Sequence, residues 1–232
     1  MLQLVKLAVG YSQKTLLAPI DANVKEGALI GVLGINGIGK STLLKTIAGL
    51  LQPIAGKVEI NGENIHQLSP QKRSALITIA GTERELIPFM TVREFIQLGR
   101  FRFENTFSFQ PNYEKTNAII WDLNLTHIAE KQLNEISDGE RQKATIARAL
   151  TQDTAVLVLD EPTAFLDYKN KNFVFEKLKQ IALSENKIII VSTHDLETAF
   201  ECCTQWWLIN ENRKFDAFYD AETVRAAIKY SN

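Results

Sequence analysis

The stretch "ALIGVLGINGIGKSTLLKTIAGL", residues 28–50, constrains the fold of this chain more than any other. A short apolar segment of strand length runs straight into "GINGIGKST" (34–42), and a helical pattern follows that ends near Gly49. The loop fits G-x-x-x-x-G-K-[ST], with Gly34, Gly39, Lys40 and Ser41 at the required places. Glycines let backbone N–H groups turn inward, and the helix start adds its positive dipole end, so the loop is a cradle for phosphate. Lys40 is then placed to reach the β- and γ-phosphates of a nucleotide, and the Ser41 hydroxyl to ligate Mg²⁺. Asn36, Gly37 and Thr42 complete the candidate nucleotide-binding positions of this loop. A turn that only joined strand to helix would not call for the Lys-Ser pair.

The segments around this loop set the fold class. "LQLVKLAVG" and "KTLLAPI" read as strands that turn on each other, and "GKVEINGENI" reads as a hairpin turning at Asn61-Gly62. "SPQKRSAL" starts a helix, with Ser69 as cap and Pro70 at the first helical position. From about residue 84 to 136 helical patterns dominate: "TVREFIQLGR", where Thr91 and Glu94 have capping-box spacing, then "NAIIWDLNL" and "HIAEKQL". Strands and helices alternate again in "AVLVLDEP", "NFVFEKLKQIAL", "KIIIVSTHD" and "QWWLIN", and Asp220 caps a last short helix. This pattern predicts an α/β chain with a mostly parallel sheet flanked by helices. An antiparallel β subdomain precedes it, and a helical subdomain is inserted over about 84–136. With no repeats or linker-like segments, residues 1–232 read as one domain.

Composition narrows the function classes. Lys plus Arg number 26 against 27 Asp plus Glu, a balance that argues against a general nucleic-acid binder. The longest apolar runs, such as "AVLVL" and "IIIV", are strand length and cannot cross a bilayer. The first residues lack the parts of a secretory signal. Cys202 and Cys203 are neighbours, which suits a reduced, cytosolic chain with the pair at a helix end.

The second half of the candidate site is "AVLVLDEPTAFLD" (155–167), a buried strand whose carboxyl end presents Asp160 and Glu161. Ligands of open α/β sheets bind at that edge. Asp160 is placed to hold Mg²⁺, and Glu161 to orient and activate an attacking water. His194 ends the next strand at the same edge, which makes it a candidate γ-phosphate sensor. A further anion-friendly helix start lies in "ISDGERQKATIARAL" (136–150), where Ser137 offers a hydroxyl, Gly139 allows close backbone approach and the helix adds its dipole.

The order "GINGIGKST", "ISDGERQ", "LVLDEPTAFLD", "STHD" resembles the ATP-binding subunit of ABC transporters across almost the whole chain. The resemblance implies ATP hydrolysis with ATP and Mg²⁺ as cofactors. It also implies a head-to-tail homodimer in which Ser137 and Gly139 cap the γ-phosphate of ATP held by the other copy. The family signature is typically L-S-G-G-Q; here Ile136, Asp138 and Glu140 depart from it. An inward Asp138 would repel ATP, so it is expected to face solvent or pair with a cation. Tyr11 matches the aromatic that stacks on adenine, and Asp167 the loop that communicates across the dimer. Where the family has a Mg²⁺-ligating glutamine this chain reads "GTERELIPFM", so Thr82 or Glu83 stands there, with Glu83 favoured because a carboxylate still ligates Mg²⁺. Phe89 and Met90 would line a groove for a membrane-subunit helix.

The subtype implied is the type II importer of ferric siderophore, haem or cobalamin, because "ISDGERQ" and "TVREFIQLGR" with its aromatic-basic sequel are similar to those systems. The short segment after "QWWLIN" is expected to carry no added regulatory fold. Partners implied are transmembrane permease subunits and, indirectly, a periplasmic or surface substrate-binding protein, with the chain peripheral on the cytoplasmic face of the cell membrane. The competing readings are an exporter ATPase subunit and a soluble, non-transport ABC ATPase.

Overall fold

The computed structural model describes residues 1–11, 14–81, 89–103 and 113–229. Two sheets organise them. The first is antiparallel, in the order β2 (Lys14–Val24), β1 (Leu2–Tyr11), β4 (Ala55–Ile60) and β5 (Glu63–Asn64). β4 and β5 form the expected hairpin, with Asn61 at φ 51° and Gly62 at φ 83°. Two consecutive positive φ values are what a type I′ turn requires.

The second sheet runs β10 (Phe215–Phe218), β9 (Gln205–Ile209), β3 (Ala28–Leu33), β8 (Ile188–Ser192), β7 (Val156–Asp160), β6 (Ile77–Ala80). All neighbours from β9 to β6 pair in parallel, and β10 folds back antiparallel on β9. The central strands are apolar at nearly every position because both faces are covered, yet the period of two survives in the packing. Ile30, Val32, Val156, Val158, Ile188 and Ile190 face the antiparallel sheet and α1 (Lys40–Ile47), meeting Leu43, Leu44 and Ile47. Leu29, Leu33, Leu157, Leu159, Ile189 and Val191 face the other way. They share a core with α5 (Asp138–Thr151), through Ala144, Ile146, Ala147 and Leu150, and with α6 (Tyr168–Ser184), through Val174, Phe175 and Leu178. α1 and α5 therefore lie on opposite faces of the parallel sheet.

Local start signals behave as expected. Ser69 caps α2 (Pro70–Leu76), and Thr91 and Glu94 complete a capping box on α3 (Val92–Gln97). α4 (Glu114–Asp122) falls where "NAIIWDLNL" places it. Asp220 Oδ1 accepts the Thr223 N–H at 2.8 Å ahead of α8 (Ala221–Lys229). The two cysteines sit at the end of α7 (Leu196–Cys202), both buried, and burial pushes the Cys202 thiol up to about 12.

Two expectations fail. "HIAEKQL" is not an α-helix: it forms 3₁₀ turns at Thr126–Ile128 and Leu133–Glu135. Its carbonyls at Ala129 and Lys131 accept the N–H groups of Arg93 and Val92, and its Leu133 N–H goes to Met90 O. Those non-local bonds replace the ladder an isolated helix would make. The strand β10 is also unexpected, since "FDAF", with four residues, is too short to show a strand period in the sequence.

Candidate active site

The loop 34–39 leaves the carboxyl end of β3 and enters α1 through Gly39, at φ 122°, with no side chain capping the first turn and no acidic residue in it. Among the described residues, no carboxylate takes the orphan N–H groups of that turn. Gly34 has φ 153°, and a Cβ there would meet Ile209 O at 2.7 Å, so the turn from β3 requires glycine. Lys40 is buried and folds back over the loop, donating to Gly34 O at 2.7 Å and Ile35 O at 3.2 Å. Burial pulls its ammonium below the usual lysine range, and the carboxylates of Glu161 and Asp160 oppose the shift without cancelling it. A buried cation beside helix N–H groups that no side chain caps is the kind of environment that suits an anion. Asn36, Gly37 and Ser41 are exposed on the same loop and first turn, while Thr42 is buried with its Oγ1 3.4 Å from the Tyr11 hydroxyl. Tyr11, half exposed, is therefore brought to the first turn of α1 from the end of β1.

The carboxylates arrive on neighbouring strands. β7 and β8 run in register, with Asp160 opposite Ser192, and Ser192 also stands opposite Val32 of β3. The Ser192 hydroxyl donates to Asp160 Oδ1 at 2.6 Å and accepts the Glu161 N–H at 2.9 Å. Glu161 has φ 52°, in the left-handed region, which aims its side chain across the strand ends. Its Oε2 lies 2.8 Å from His194 Nδ1. Ser192 was missed in the sequence, although its place two residues before His194 in "STH" marked it. The Asp carboxylate and the Ser41 hydroxyl are hard oxygen donors of the kind Mg²⁺ takes.

The second anion motif folds as the N-terminus of α5. Ser137 caps the helix in a full capping box with Glu140, a partner that the S-x-x-E spacing of "SDGE" could have revealed. Asp138 is exposed, as expected of a carboxylate there. A Cβ on Gly139 would press on Leu166 and on Phe165 O, both at 3.3 Å, so this position packs tightly against the loop after β7. Asp167 caps α6 by accepting the Asn170 N–H at 2.8 Å. Thr82 and Glu83 lie outside the described residues. Phe89 is 82% exposed, whereas Met90 packs partly against the core, so of the two expected groove residues Phe89 is the more exposed.

This arrangement of loop, strand ends and capped helix has relatives. Residues 17–164 match the ABC transporter family. The chain belongs to this family. Its members are ATPases, and the fold is theirs. An uncharacterized ABC transporter ATP-binding protein of Methanocaldococcus jannaschii is 38% identical, covering 97% of this chain and 78% of the relative. A cobalamin import ATP-binding protein of Halobacterium salinarum is 32% identical over 97% of the chain, which spans 58% of that relative's length. Among solved structures, a dimeric ATP-binding cassette in a post-hydrolysis state with ADP and Pi superposes with a TM-score of 0.81 at 25% identity, covering 93% of this chain and 97% of that one. Among the described residues of this ABC family member, no helix is long and apolar enough to cross a membrane.

Proposed function

We propose that the chain is the ATP-hydrolysing subunit of an importer, working as a head-to-tail pair on the cytoplasmic face of the membrane beneath permease subunits. One observation supports the pairing: α1 and α5 pack on opposite faces of the parallel sheet, so the phosphate loop and the Ser137 helix start approach its edge from different sides. Two copies complete both sites, and the dimeric cassette that resembles this chain supports that arrangement.

In this reading the loop N–H groups and Lys40 bind the β- and γ-phosphates of ATP. Ser41 and Asp160 would hold Mg²⁺, which neutralises charge on the phosphates when bound. Glu161 takes a proton from the attacking water. His194, in contact with Glu161 Oε2, orients that carboxylate and reaches the γ-phosphate. Tyr11 stacks on the base. Glu83 would link the docking groove to Mg²⁺. ATP added to purified Glu161→Gln should convert monomer to dimer in light scattering, because the trapped γ-phosphates join the two faces. No ATP-dependent rise in mass would remove the trans role of Ser137 and Gly139.

The cargo is a metal chelate: ferric siderophore, haem or cobalamin. The "ISDGERQ" and "TVREFIQLGR" segments support this class, as does the cobalamin-import relative. Deleting the gene should abolish uptake of one of these three labelled compounds. Unchanged uptake of all three would overturn the cargo class and leave the ATPase standing.

A further inference from the structure

Two donors of Ser137 are already occupied by an anion. Glu140 Oε2 accepts the Ser137 hydroxyl at 2.7 Å and the Ser137 backbone N–H at 2.9 Å, while Ser137 Oγ accepts the Glu140 N–H at 3.3 Å. These hydrogen bonds hold the Glu140 carboxyl below its usual range: the Ser137 hydroxyl first, then its N–H, with a smaller part from His127. The carboxylate occupies the Ser137 hydroxyl, the donor that the trans reading gives to a phosphate oxygen. Its other oxygen, Oε1, points elsewhere, to His127 Nε2 at 3.4 Å. His127 sits in the 3₁₀ turn Thr126–Ile128 that follows α4, and it is 59% exposed, with Asp122, Lys177 and Trp121 around the same hollow.

We propose that Glu140 is a built-in competitor of the γ-phosphate, releasing Ser137 by swinging its carboxylate toward His127 when the second copy closes. The proposal rests on the trans reading above. Glu140 and His127 are positioning residues: neither needs to touch ATP, and each acts through Ser137. A carboxylate at the first turn stabilises the helix in the resting chain, and the same charge opposes an incoming phosphate. His127 offers the displaced carboxylate a donor, from neutral imidazole carrying hydrogen on Nε2 or from imidazolium.

The test uses full-length protein in the Glu161→Gln background and reads the ATP concentration for half-maximal dimerisation. Glu140→Gln keeps an acceptor for the Ser137 donors and removes the charge. Since charged acceptors bind about twice as strongly as neutral ones, half-saturation should fall about three- to tenfold. His127→Ala should raise it severalfold with Glu140 present, and should leave it unchanged when added to Glu140→Gln. His127→Gln, which restores a donor, should return it toward the parent value. A merely structural cap would shift the melting temperature without this ordering. Half-saturation that is unchanged or raised in Glu140→Gln overturns the proposal. If that variant melts early, the exposed His127→Ala decides alone, and no shift there overturns it equally. Absence of any ATP-dependent dimer sinks the trans reading, a result distinct from a dimer indifferent to Glu140.

Discussion

Glu161→Gln should lower ATP turnover by about 10²–10⁴ while ATP affinity stays within about threefold, because a positioned general base contributes that much and the phosphate clamps are untouched. The geometry isolates the effect. Glu161 sits at φ 52° with its N–H bound to Ser192 Oγ, and glutamine accepts the same backbone and the same length. Its amide can also keep a hydrogen bond to His194 Nδ1, now 2.8 Å from Oε2. What is lost is the capacity to hold a proton from water. Single-turnover hydrolysis, with affinity measured by titration of a fluorescent ATP analogue, separates the two quantities. Hydrolysis within about a factor of three of the parent chain would take the base role from Glu161.

Lys40→Ala should act on binding itself. A hydrogen bond to a charged group contributes about 1.5–3 kcal/mol, and each 1.4 kcal/mol is about tenfold, so ATP affinity should fall about 10- to 100-fold. In the resting chain the ammonium covers Gly34 O and Ile35 O, and burial holds its pKa down. A triphosphate offers that buried cation stronger partners than two carbonyls do. The loop keeps its course in the variant, since Gly34 and Gly39 set it through their backbone angles. Titration of the analogue, with circular dichroism to verify the fold, reads the loss. A change below about threefold would mean that the loop N–H groups alone hold the phosphates.

Features whose cause lies within a few residues were legible in the sequence alone. The cap and proline at Ser69-Pro70, the Thr91–Glu94 box, the Asn61-Gly62 turn and the phosphate loop each depend on backbone angles and hydrogen bonds that close over about four residues. The apolar strands "AVLVL" and "IIIV" likewise announced a sheet covered on both faces.

What the sequence by itself determined, then, is the set of parts: a glycine-rich strand-to-helix loop, a carboxylate pair after a buried strand, a histidine at the next strand end, and a capped helix start. Tertiary structure alone decided how they meet. Ser192 joins Asp160 to Glu161 only because β7 and β8 pair in that register, and register comes from packing across the sheet rather than from either strand. "HIAEKQL" gave up its helix because Val92, Arg93 and Met90, distant in the chain, took its backbone bonds. The separation of α1 from α5 depends on which face of the sheet each crossover covers. Such choices are set by long-range burial, and no window of neighbouring residues contains them.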